Sequence, residues 1–156
     1  MVVPGDGCPN LCPIIFKQQH MNRQTILIRI FLALLALATL NIAVQAILDP
    51  QAIFDNVQVQ LGNLTARNSV RALYGGVNLM FGLFWLYAAF RLQRMGLLLA
   101  LLYTGGFALG RLLSLGLDGM PGAFAMQWLA VESFFAISAA GLLWWNLTRN
   151  ENPLSF

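Results

Sequence analysis

The chain has 156 residues, of which 58% are hydrophobic and only 10% charged. Soluble domains carry about 25% charged residues, so this composition excludes a large water-facing enzyme, a disordered tail and a disulfide-rich scaffold. The net charge of +3 comes from basic residues that flank apolar runs and form no continuous stripe, so nucleic acid is not an expected partner. With a mean hydropathy of +0.69, the chain reads as all-α and integral to a membrane.

Residues 1–24 read as an irregular extension, with prolines at 4, 9 and 13 beside Gly5 and Gly7. Cys8 and Cys12 lie in it, and two ligands without further His or Cys make a poor metal site. Met21 opens MNRQTILIRIFLALLAL, a polar, basic lead into an apolar helix, and is a candidate start. Residues 25–148 form the membrane domain, and 149–156 a short tail.

Crossing a hydrocarbon core takes roughly 20 apolar residues, and four stretches meet that length: 26–48, 69–90, 97–117 and 124–147. Short connections join antiparallel neighbours, which predicts an up-down four-helix bundle. Val44-Gln45-Ala46 resembles a secretory cleavage site, but the apolar run before it is longer than a signal core, so a retained helix is expected. Between the first two spans, Asp49-Pro50 is a helix start. Ile53, Phe54, Val57 and Leu61 then follow helical spacing, as in a short helix that lies on the membrane surface or caps the bundle.

Lys17, Arg23 and Arg29 precede or begin span one, and Arg91 and Arg94 fill the second connection. Asp49, Asp55 and Asp118 occupy the other two connections, with Arg67 the only basic residue there clear of the spans. The positive-inside rule therefore places both termini in the cytoplasm, with a bacterial inner membrane as the expected location. Trp85, Tyr87, Trp144 and Trp145 fall near the inner interface on this count, and Trp128 toward the outer one.

Arg111 and Glu132 lie well inside spans three and four, and each costs about 2.5–3.5 kcal/mol at mid-helix unless it has a partner or a wet cavity. At about 1.5 Å per residue, Arg111, Glu132, Asn41 and Asn78 lie roughly 9, 12, 10 and 13 Å from the outer ends of their spans. All four helices thus deliver a polar side chain to one layer, which lipid cannot satisfy. An Arg111–Glu132 ion pair with Asn41 and Asn78 bonded to it is expected. Ser114 and Asp118 continue the Arg111 face outward, making Asp118 a second candidate partner, and Arg71 and Tyr74 enter the same region. The layer serves either to fix helix register or to hold a ligand head in a pocket open to the outer side. Gly106, Gly110 and Ser114 form a small-residue stripe, and Gly75 and Gly82 flank Asn78. Both sets are read as packing within the bundle first and as a homodimer face second. Phe81, Phe84, Phe134, Phe135 and Met80 read as core or lipid-facing residues.

Arg71-Ala72-Leu73-Tyr74-Gly75-Gly76, Gly110-Arg111-Leu112-Leu113-Ser114, Asp118-Gly119-x-Pro121 and Glu132 together resemble the bacterial membrane family called domain of unknown function 4345. The resemblance covers roughly residues 25–147 and implies four helices without a settled activity. A weaker similarity links the chain to the DoxX-like group of small four-helix membrane proteins, some connected with quinone or respiratory chemistry.

Three functions follow in order of preference. The first is a non-catalytic binding or accessory module, whose pocket takes a lipid, quinone or other amphiphile, alone, as a homodimer or in a larger membrane complex. The second is a small dimeric proton-coupled transporter using Glu132, which requires Glu132 to be released from Arg111. The third is a purely structural subunit. Catalysis is not expected, because His20 and both cysteines lie in the extension, leaving the bundle no imidazole or thiol, and no resident cofactor or metal is expected either.

Overall fold

A computed structural model describes residues 23–150, and all regular structure in them is helical. The elements are α1 (Arg23–Leu48), α2 (Pro50–Asp55), α3 (Leu64–Val70), a π-helical segment (Arg71–Val77), α4 (Asn78–Arg91), α5 (Gln93–Asp118) and α6 (Ala123–Asn150). Helix α3, the π segment and α4 run on as one span, and among the described residues four helices are long and apolar enough to cross a membrane. Large apolar side chains such as Leu37, Leu102, Phe134 and Ile137 stand exposed around them, as they do when hydrocarbon is the solvent.

The spans are longer than their apolar cores suggest. Helix α1 includes Arg23 and Gln24, which the sequence assigned to the extension; the rest of that extension, with the Met21 start, lies outside the described residues. The second span begins at Leu64, where the Asn63 side chain accepts from Ala66 N, because a polar first turn is well capped without being hydrophobic. The expected connection at 91–96 shrinks to Leu92 alone. At the other end α5 stops at Gly119, whose φ of 91° is the left-handed region that a side chain disfavours.

Close packing pairs α1 with α4 and α5 with α6. The first pair works through small residues. A Cβ placed on Gly82 would lie 2.6 Å from Leu40 Cγ, and one on Gly75 2.8 Å from Ile47 Cγ1. Those glycines let the backbones approach, as expected for spans held by van der Waals contact. The Gly106–Gly110 stripe is different: a Cβ on either meets nothing within 4 Å. Packing inside the bundle is therefore not its role, contrary to the first expectation.

The buried core occupies one half of the bundle, built from Ile28, Phe31, Leu32, Leu35 and Ala36 of α1, Trp85, Ala88 and Ala89 of α4, Leu97 and Ala100 of α5, and Ala139 of α6. Trp85 is wholly buried there and is not an interfacial anchor; its ring meets Phe81 at 5.4 Å and Tyr103 at 5.0 Å. Tyr87 and Trp144 do face outward. The other half, which carries α2 and the α5–α6 turn, buries small residues such as Ala43 and Ala46 together with Val70, and there all four spans line a cavity.

A capped cavity with an ion pair in its wall

The helix that closes this half is fixed by local chemistry. Asp49 caps α2, accepting from Gln51 N at 3.1 Å, with Pro50 at the first helical position. The Gln51 amide donates to Asp55 Oδ1 and to Val59 O, each at 2.8 Å, and its oxygen accepts from Leu61 N at 2.9 Å. One side chain thereby ties the following loop back onto α2. The helix is shorter than its apolar pattern, ending at Asp55, yet Ile53, Phe54 and Val57 still turn into the cavity. The segment is a cap on the bundle.

Beneath the cap lies a cavity of about 450 Å³, reached by α1, α2, the π segment, α4, α5 and α6. Volumes of about 300–1,000 Å³ are typical of small-molecule sites. Asn41, Tyr74, Asn78, Arg111 and Glu132 all line it, so the polar layer contributed by the four spans surrounds one space. Arg111 Nε donates to Glu132 Oε2 at 2.7 Å. The side chains of the pair are 33% and 11% exposed, so the acid lies deeper than the base.

The rest of the predicted network is arranged differently. Asn78 does not bond to the ion pair; its Oδ1 accepts from the Tyr103 hydroxyl. Asn41 is exposed to the cavity side and has no hydrogen bond to the pair. Asp118 does not compete for Arg111, because it accepts from Ser114 Oγ at 2.8 Å, one turn along the same helix. Arg71 lies outside the cavity, its Nε donating to the Ile47 carbonyl at 3.1 Å, where it satisfies one of the last acceptors of α1. Ser114 lines a smaller recess of about 60 Å³ on the far side of Arg111.

Several cavity residues carried no sequence signal of their own. Tyr103, Thr104 and Phe107 share the Arg111 face of α5, while Phe124, Trp128 and Phe135 share the Glu132 face of α6. Their spacing from the charged residue, close to multiples of three and four, is the signal that could have found them. Tyr103 links core to cavity, with Trp85 at 5.0 Å and Phe107 at 5.0 Å. Tyr74 meets Phe54 of the cap edge-on at 5.8 Å. Thr39 and Thr104 spend their hydroxyl protons on carbonyls of their own helices and bring mainly methyl surface.

The π segment holds Tyr74 and Gly75 and ends at Val77, just before Asn78, so two cavity residues sit at or beside the irregular turn. Adjacent glycines weaken the regular helix here, and wide turns of this type recur where a helix must re-aim side chains.

A family model described as domain of unknown function (DUF4345) matches residues 27–146. The chain belongs to this family. The match takes in the whole cavity, cap and ion pair, and begins after the segment whose sequence read as an extension. No curated protein and no solved structure matches the chain.

Proposed function

We propose that this member of the family is a non-catalytic binding or accessory module that holds a membrane amphiphile in the capped half of its bundle. The observation carrying the proposal is the cavity of about 450 Å³ with an ion pair in a wall that is otherwise mostly aromatic and aliphatic. A pair needed only for helix register would be enclosed by packed side chains; this one borders a space of ligand size. Lipid and quinone are the occupants of suitable character, with a polar head for the ion pair and a chain for the aromatic walls.

The capped half is the outer half in this reading. The basic residues Arg23, Arg91 and Arg94 lie at the opposite end of the spans, against Arg67 near the capped end, a bias that supports a cytoplasmic side there, with a bacterial inner membrane as the expected setting. The unpacked Gly106–Gly110 stripe is left for a second copy or another membrane subunit. The Arg111–Glu132 bond argues against a proton-coupled transporter, which requires Glu132 without a cationic partner.

Native mass spectrometry of the chain extracted gently from its own membrane tests the proposal. A stoichiometric amphiphile is expected on the wild type and absent from a folded variant whose cavity is filled. A bare chain from several mild extractions would contradict it and favour a structural subunit.

A further inference from the structure

The ion pair leaves bonding capacity on both partners. Arg111 uses Nε on Glu132 Oε2; among the described residues its two terminal nitrogens make no hydrogen bond, and neither does Glu132 Oε1. The Asn78 amide nitrogen also lacks a partner among the described residues, its oxygen being taken by Tyr103. Among the described residues Arg111 and Glu132 are the only charged ones lining the cavity, so its wall is neutral overall while presenting donors at one point and an acceptor at the next. A net anionic head would meet Glu132 at short range, and a net cationic head would meet Arg111. An uncharged apolar head would leave the terminal nitrogens of Arg111 and the Glu132 Oε1 unmet in a medium that penalises this.

The way in is equally specific. Helices α1 and α6 meet through Phe31 and Phe135 at 5.7 Å, with Phe135 at the lower edge of the cavity wall. Above that contact, Ala38 and Asn41 of α1 and Val131 of α6 line the cavity and are exposed. Exposed residues of both helices thus border the cavity on its α1–α6 side.

Resting on the binding reading, we infer that the occupant is a net-neutral zwitterionic membrane lipid entering sideways between α1 and α6. Its phosphate accepts from the free nitrogens of Arg111, its ammonium group donates to Glu132 Oε1, and its chains leave through the α1–α6 seam. Trp128, one turn beyond Glu132, provides an aromatic face for the ammonium end.

The full chain in bilayer discs of equal parts phosphatidylethanolamine and phosphatidylglycerol, released into native mass spectrometry, tests this. The wild type is expected to retain the zwitterionic lipid over the anionic one by about tenfold. Glu132→Gln makes the wall net positive and is expected to reverse the preference. Ala38→Trp, which leaves the ion pair untouched, is expected to abolish retention by blocking the seam, so a charge variant that fails to fold leaves the test decisive. Equal or greater retention of the anionic lipid by the wild type overturns the inference, as does undiminished retention by Ala38→Trp. Retention of an amphiphile without head preference overturns this assignment alone, whereas no retained amphiphile in discs or from the native membrane overturns the binding reading itself.

Discussion

Arg111 and Glu132 face each other at 2.7 Å from adjacent helices, and each makes the other tolerable inside a membrane. Arg111→Gln or Glu132→Gln leaves one charge uncompensated and is expected to destabilise the bundle by about 3–5 kcal/mol, read as the shift in a reversible unfolding midpoint in mixed micelles. The exchange of both, Arg111→Glu with Glu132→Arg, is expected to recover much of the stability but not the bound amphiphile, since the donors and acceptor then point the wrong way. Recovery of both would assign the pair to helix register alone. Tyr103→Phe removes the donor to Asn78 and is expected to cost about 1–3 kcal/mol, because a buried amide oxygen is left without a partner. Legibility at this scale followed energetic cost. Charged and amide side chains stand out in an apolar run because lipid cannot hold them, so Asn41, Asn78, Arg111 and Glu132 were visible. Tyr103, Trp128 and Phe54 were not, since an aromatic residue serves equally well against lipid, in a core or around a ligand. Arg71 and Asp118 were visible for the right reason and misassigned, because nearby backbone and hydroxyl groups satisfy them first.

Among the helices, small residues divide into two kinds that composition cannot separate. Gly82 lies against Leu40 and Thr39, and Gly82→Ala is expected to cost about 1–3 kcal/mol through overpacking between α1 and α4. Gly106→Ala and Gly110→Ala meet open space and are expected to leave monomer stability within about 0.5 kcal/mol. A fall in the dimer population of those two variants, measured by single-molecule photobleaching in vesicles, would assign the stripe to a second copy. The cap offers another test. Asp49→Ala removes the acceptor for Gln51 N and is expected to cost α2 about 0.5–2 kcal/mol, seen as faster amide exchange in 50–55 with the four spans unchanged. The start of this helix was legible from Asp49-Pro50; its end was not, because the Gln51 side chain, not hydrophobic spacing, decides where the loop turns back. The π segment was also hidden, since its wider turn leaves no distinct period over so few residues.

At the scale of the molecule, four apolar runs separated by short turns sufficed for the bundle, because a bilayer allows few other arrangements. The division of the interior into a filled half and a hollow half was not readable. Both halves are apolar, and whether facing side chains meet depends on helix separation, which hydropathy does not encode. The direction proposed from charge has a direct test: a cysteine at Leu92 is expected to react with an impermeant thiol reagent only after the membrane is opened, and one at Gly119 in intact cells. Labelling in the reverse order would place the capped cavity toward the cytoplasm.

If the hollow half is an occupied site, a cryo-electron microscopy map of the chain in discs of its own lipids, enlarged by a rigid fiducial for alignment, shows it. Elongated density is expected beneath α2, its head within hydrogen-bond distance of Arg111 and Glu132, its tail passing between α1 and α6. A map in which α1 and α6 close on each other and fill the cavity with their own side chains would contradict it.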